Sequence, residues 1–274
     1  MNLEDSIGDI LRKSRISTQS TEEVAAAAGS VSVSAYQEFE RTGRAPAGLN
    51  WDKLGTLLTL NGLRLKAQHD GWRPAPQDVG GWREFRVITT ASDDMTVNAY
   101  LVWDEVTLEA AVFDTGFDAT PIFQLIDENR LNLKHLFLTH SHADHLAALE
   151  PIRARYPKLR LHSSIKGAPV DQRNRANDFI MLGSLRITNR ETTGHADDGV
   201  TYVVGNWPED ASHVAIVGDA LFAGSMGGAR EHLELARTKV REQIFSLPEA
   251  TLIAPGHGPL STVGEEKAHN PWFS

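Results

Sequence analysis

Over the first seventy positions apolar residues recur at helical spacing: Ile7, Ile10 and Leu11, then Leu54, Leu57 and Leu58. Ser20 with Glu23 has the pattern of a capping box ahead of Val24 and the alanines that follow, and Gly29 supplies a stop. Ile7, Leu11, Val24, Tyr36 and Phe39 are the expected core of this part. The stretch DGWRPAPQDVGGW then concentrates Gly, Pro and Trp and reads as a linker. Beyond it the period changes. Strands are expected over 83–90, 96–103, 109–114, 135–139, 159–162, 182–189, 200–204, 213–217 and 251–254, with helices over 120–129, 143–156 and 230–245. This alternation predicts a layered α/β domain at 82–274, preceded by a small all-α domain at 1–70 and a linker at 71–81.

Composition narrows the chemistry. The 274 residues contain no cysteine, which removes disulfides, thiolate metal sites and cysteine nucleophiles, so any metal must be held by His and carboxylates. The net charge of −9 argues against a nucleic-acid-coating surface. No run of eighteen apolar residues predicts a membrane span, and the amino terminus lacks the pattern of a signal peptide, so a cytoplasmic location is expected.

The strongest chemical signal is Thr139-His140-Ser141-His142-Ala143-Asp144-His145, placed after the apolar strand LFLT and before a helix. His at i and i+2 on an extended turn can point at one metal, while the Asp and the next His can face a second. Thr193-Gly194-His195, Gly218-Asp219 and Pro255-Gly256-His257-Gly258 each lie at or just past an expected strand end, where a rigid sheet sets geometry and loops leave room for substrate. Together the islands supply five His and two Asp.

With these motifs the sequence from about Trp82 to Ser274 resembles the metallo-β-lactamase-fold hydrolases. THSHADH matches the HxHxDH signature, while TGH, VGDALFAGS and APGHGP match the later His, Asp and His motifs in order. The resemblance implies an αββα sandwich. It also implies that His140, His142 and His195 hold one divalent ion, that Asp144, His145 and His257 hold another, and that Asp219 bridges them. Zinc is the expected metal, with iron or manganese as alternatives. Asp114, in the matching motif Val112-Phe113-Asp114-Thr115-Gly116, reads equally as an orienting partner of a ligand His or as a strand-end turn residue. Two such ions make water available as hydroxide near neutral pH, with Asp144 or Asp219 as proton acceptor.

VGDALFAGS, APGHGP and the closing TVGEEKAHNPWF resemble short glyoxalase-II-like members, which implies hydrolysis of a small activated ester or thioester. The absence of Cys excludes β-lactamase subclasses with a Cys ligand, and the acid at position 219 points away from those using histidines alone. Two features depart from full-length glyoxalase II. The GSxGR-type turn reads Gly224-Ser225-Met226-Gly227-Gly228 with the Arg displaced to Arg230, and only seventeen residues follow His257, leaving no glutathione-binding helical domain. The alternative within the same fold is a mononuclear iron persulfide dioxygenase, which keeps the HxHxDH pattern. Residues 165–179 are expected to cross the active-site face, with Arg173 and Arg175 in a solvated loop. His69, His135, His162, His213, His232 and His269 are expected to be surface or packing residues.

Residues 6–60 resemble the Cro/repressor-like helix-turn-helix, so a DNA-binding regulator is the alternative of another class. The position of the recognition helix, 32–40, has no Lys or Arg and ends Gln37-Glu38-Phe39-Glu40, and residues 1–70 carry eight basic and nine acidic groups. This chemistry does not suit phosphate or base readout. The expectation is a degenerate helical domain without DNA readout that forms a homodimer or covers the active site.

Overall fold

The computed structural model describes residues 2–93, 95–175 and 178–273. Five short helices come first: α1 (Ile7–Ser17), α2 (Glu22–Gly29), α3 (Val33–Thr42), α4 (Trp51–Leu57) and α5 (Gly62–His69). Strands β1 (Phe85–Ser92), β2 (Met95–Trp103) and β3 (Glu109–Phe113) follow, then α6 (Thr120–Glu128), β4 (Asn132–Phe137), α7 (Ala143–Leu146), α8 (Leu149–Arg155) and β5 (Arg160–His162). The second half contains β6 (Phe179–Leu182), β7 (Leu185–Glu191), β8 (Val200–Gly205), β9 (Val214–Gly218), α9 (Leu233–Lys239), β10 (Leu252–Pro255), β11 (Ser261–Thr262) and α10 (Val263–His269). Two sheets form, in the orders β1-β2-β3-β4-β5 and β11-β10-β9-β8-β7-β6. β3, β4 and β5 run parallel in the first sheet, and β9 and β10 run parallel in the second.

Alternation along the strands sends one set of side chains between the sheets and the other outward. Phe85, Tyr100, Phe113 and Phe137 meet Ile187, Tyr202, Ile216 and Leu252 in the central core. The outer face of the first sheet packs Leu101, Val112 and Leu136 against Ile122 and Ile126 of α6 and Ile152 of α8. The outer face of the second packs Val203, Ala215 and Ile253 against α9 and the C-terminal Trp272 and Phe273, and Ile10, Leu11 and Phe39 of the amino-terminal helices belong to the same cluster. The architecture is the expected αββα sandwich, with five helices ahead of the first strand.

Several local expectations are corrected. The cap of α2 is Thr21, whose hydroxyl accepts from Val24 N at 3.3 Å, because Ser20 is engaged with Thr18 at 3.1 Å. The helix runs through Gly29, and Ser30 takes the left-handed φ of 60°. Val24 is 49% exposed, since the buried face of α2 is made by Ala25 and Ala26. The expected helix 143–156 is two helices. Thr115 and Gly116 intercept its backbone: Thr115 N donates to His145 O at 3.0 Å, and Ala148 N donates to Gly116 O at 3.1 Å. The expected strand 182–189 is the hairpin β6–β7, turned at Gly183 with φ +57°, where a Cβ would lie 2.2 Å from Asp104 Cγ. The expected helix 230–245 begins as a 3-10 turn, becomes α9 and ends as a π-helical stretch, Val240–Ile244.

The acids of α3 have local partners. Glu40 accepts from Arg15 Nε of α1 at 2.6 Å and from Tyr36 OH at 2.7 Å, and Glu38 pairs with Arg41. A Cβ at Gly8 would lie 2.1 Å from Glu40 O, so α1 and α3 approach closely because position 8 is glycine. Arg64 of α5 donates to the carbonyls of Asn270 and Phe273, and Asn61 N donates to Pro271 O. The amino-terminal helices are thereby tied to the far end of the chain. Among the described residues, no helix is long and apolar enough to cross a membrane.

Candidate metal centre

The chain leaves β3, β4, β9 and β10 at one edge of the sandwich, and these exits carry the chemistry. Asp114, held at φ +55°, follows β3 directly, and β4 leads into the His140–His145 loop. His195 follows β7, Asp219 follows β9 and His257 follows β10. All seven donors expected from the sequence converge in two groups: His140, His142, His195 and Asp219 in one, Asp144, His145 and His257 in the other. Within each group the donor atoms lie within 4.8 Å of one another.

Hydrogen bonds at the opposite ring nitrogens set the orientation of four histidines. His145 Nδ1 donates to Asp114 Oδ2 at 2.8 Å, His195 Nδ1 to Gly228 O at 3.0 Å and His257 Nδ1 to Thr96 O at 2.5 Å. His140 Nδ1 donates to Thr139 Oγ1 at 3.0 Å, and that hydroxyl donates in turn to Asp114 Oδ2 at 2.7 Å. Each ring therefore turns the Nε2 lone pair toward the cluster, the arrangement that metal-binding imidazoles require. His142 uses Nδ1 instead, 3.0 Å from both His140 Nε2 and His195 Nε2. Asp114 also accepts from Thr139 N at 2.8 Å, so it orients a histidine and also turns the chain after its strand.

The second group is closely spaced. His257 Nε2 lies 3.1 Å from Asp144 Oδ2, and His145 Nε2 lies 3.5 Å from the same oxygen. Asp219 faces both groups, with Oδ1 3.3 Å from His145 Nε2 and Oδ2 3.5 Å from His195 Nε2 and 3.6 Å from His257 Nε2. Burial opposes a proton on His145, but Asp114 and Asp219 outweigh it and raise its pKa to about 11. Burial likewise opposes a charged His257, yet Asp144, Asp219 and the Thr96 carbonyl lift it to about 9. Desolvation, with His145 nearby, lowers His140 to about 4. Burial would push Asp219 up, but the surrounding imidazoles hold it well below the usual carboxylate range.

A metal fits these residues. Two carboxylates, Asp144 and Asp219, are gathered in a largely buried site with a third, Asp114, directly behind His145, an arrangement that calls for positive charge. His145 Nε2 and Asp219 Oδ1 are buried polar atoms without a hydrogen-bond partner. Room for them depends on glycine, because a Cβ at Gly256 would lie 2.2 Å from Asp219 Oδ1 and 2.6 Å from His145 Cε1. The donor set is nitrogen and oxygen only, which suits zinc, iron or manganese.

Thr139, the carbonyls of Thr96 and Gly228, and the close glycines Gly227 and Gly256 complete the centre, and the sequence reading gave none of them these roles. The glycines lie inside motifs already read; the carbonyls leave no signature in residue type. Arg173 and Arg175 are exposed. They line a separate cavity of about 210 Å³ beside Phe137, His162 and Tyr202, and none of the seven donors lines it. Positions 176 and 177 of the expected 165–179 segment lie outside the described residues. Of the remaining histidines, His135 and His162 pair at 2.9 Å, and His269 stacks on Trp72.

Residues 92–257 match the family model of the Metallo-beta-lactamase superfamily, a span that holds all seven donors. The chain belongs to this superfamily. Its relatives within the metallo-beta-lactamase superfamily differ in activity. It is 27% identical to the hydroxyacylglutathione hydrolase GloC of Haemophilus influenzae, over 65% of this chain and 92% of that protein. It is 33% identical to the human mitochondrial persulfide dioxygenase ETHE1, over 63% and 69% respectively. The crystal structure of the B3 metallo-beta-lactamase BLEG-1 superposes with a TM-score of 0.59 at 27% identity, covering 69% of this chain and 99% of that one. Superfamily membership supports a metal-dependent enzyme and leaves the substrate to the site itself.

Proposed function

We propose that this protein is a two-ion metallohydrolase that cleaves a small activated ester or thioester. The observation that carries the reading is Asp219, whose carboxylate lies within 3.6 Å of histidines from both donor groups. His140, His142, His195 and Asp219 would hold one divalent ion, zinc in the first instance, and Asp144, His145, His257 and Asp219 the other. Ions in these positions supply Lewis-acid polarisation of the substrate carbonyl and make water acidic enough to act as a nucleophile at neutral pH.

The chain's own residues do the rest. Asp114 and Thr139 fix the rings of His145 and His140, and the Gly228 and Thr96 carbonyls fix His195 and His257. Asp144 is the side chain that receives the water proton, because its carboxylate is 18% exposed whereas Asp219 is enclosed by imidazoles. The water oxygen bonds to the acyl carbon, the C–S or C–O bond breaks, and the leaving thiolate or alkoxide takes up a proton. The products are a carboxylate and a thiol or alcohol.

The similarity to GloC favours a thioester as substrate. Metal analysis of the purified protein, with turnover of a hydroxyacyl-glutathione thioester, tests the reading. About two ions per chain and thioester cleavage lost in His140→Ala/His142→Ala are expected. A single iron with oxygen uptake on glutathione persulfide, and no thioester cleavage, would replace it with the activity named for ETHE1.

A further inference from the structure

A cleft of about 520 Å³ opens beside His142 and His195, and one of its walls comes from outside the superfamily match. That wall is α1. Its buried face carries Ile7, Ile10, Leu11 and Ser14 into the protein. The residues at helical spacing on another stripe, Lys13, Ile16 and Ser17, line the cleft together with His142 and His195. Ile16 is 49% exposed there, an apolar side chain left in contact with water beside candidate metal ligands.

The helix is fixed in this position. Ser6 and Asp9 form a capping box at its start, and the buried Asp5 accepts from Lys13 Nζ at 2.7 Å and from Ser225 Oγ at 2.5 Å. Lys13 also donates to Met226 O, two residues before the carbonyl that holds His195. The turn Arg230–His232, against which α1 packs, lines the same cleft. Arg230 is exposed, sits at φ +43°, and has no ion-pair partner among the described residues. A left-handed arginine is backbone strain placed at the mouth of a site. The other charged groups lining the cleft are Lys13, shared with Asp5, and Glu231, 3.9 Å from His232.

We propose that α1 is the substrate-facing wall of the active site and that Arg230, on the adjoining turn that lines the same cleft, selects acyl substrates ending in a carboxylate, with Ile16 packing on their apolar portion. The inference rests on the hydrolase reading and names its substrate class. An arginine without an acidic partner offers a bidentate site for a carboxylate.

The test compares N-acetylcysteamine thioesters of succinate and butyrate, which share a four-carbon acyl chain and differ in the terminal carboxylate, on the metal-loaded full chain. Wild type is expected to show the lower KM for the succinyl ester. Arg230→Gln should raise that KM about tenfold with kcat little changed and leave the butyryl KM alone. Arg230→Lys should restore part of the difference, and Ile16→Ser should raise both KM values several-fold. Equal KM values for the two esters in wild type, or equal losses for both in Arg230→Gln, overturn the proposal. If neither ester is cleaved, turnover of the hydroxyacyl-glutathione thioester still decides the hydrolase reading, and calorimetric binding of succinate against butyrate decides the cleft on its own. A succinate preference abolished by Arg230→Gln supports the proposal, and no preference overturns it.

Discussion

His145 Nε2 and Asp219 Oδ1 face each other at 3.3 Å, both buried and both without a hydrogen-bond partner. Burying two such groups unsatisfied is costly, and a cation between the donor groups relieves the cost. Loading with zinc should therefore stabilise the fold, by about 2.7 kcal/mol at a free concentration one hundred times the Kd. Thermal melts with zinc and with a chelator measure this. Asp219→Asn should lose most of the metal-dependent shift, and a wild-type melting temperature indifferent to metal would count against the centre.

Asp114 should control metal affinity without touching the metal. In Asp114→Asn the amide can still accept from Thr139 N, but its NH2 group can no longer accept from His145 Nδ1. The imidazole is then driven toward the tautomer protonated on Nε2, which closes the lone pair the cluster needs. A loss of 10- to 100-fold in affinity is expected by competition with a chromophoric chelator. Unchanged affinity would return Asp114 to the role of a strand-end turn residue.

Gly256→Ala tests the tightness of the cradle. The new methyl group would sit 2.2 Å from Asp219 Oδ1 and 2.6 Å from His145 Cε1, inside any tolerable contact. Displacement of these side chains should cost about 1–3 kcal/mol in denaturant unfolding and reduce bound metal. The same substitution at Gly81, away from the centre and with nothing within 4 Å, should be close to neutral and serves as the control.

Glu266 predicts a pH dependence away from the centre. Burial raises its pKa to about 7, against the hydrogen bonds from Asn270 and Gly224. Because the folded value lies above the unfolded one, its contribution is fully present below about 4.5 and is lost as pH rises through about 7. Relative to Glu266→Gln, the wild type should lose up to about 3 kcal/mol across that interval. Urea titrations of both proteins at pH 5 and pH 8 measure the difference, and a difference that does not fall between them would contradict the assignment.

The catalytic half was legible because its chemistry is local. His140, His142, Asp144 and His145 lie on one turn whose spacing brings them together, and the later donors each follow a strand with a recognisable apolar run. The helix break at Ala147–Ala148 was hidden because its cause, the backbone of Thr115 and Gly116, lies about thirty residues away in sequence. Val24 was misplaced because α2 offers an alanine face as apolar as its valine, and only tertiary packing chooses between them. The recognition-helix position looked wrong for DNA because of its acids, and the structure gives those acids work inside the protein: Glu40 ties α3 to α1 through Arg15. That α1 lines the cleft could not be read from composition, since it depends on Asp5 meeting Ser225 across most of the chain.

The hydrogen bonds from Asn61 and Arg64 to the carbonyls of residues 270–273 also constrain the order of assembly. During synthesis the first helices emerge long before Trp272 and Phe273, the aromatic side chains that complete their apolar cluster. Their greasy faces stay uncovered while some two hundred further residues are made. A helix that lines the cleft is thus made well before the residues that complete its packing.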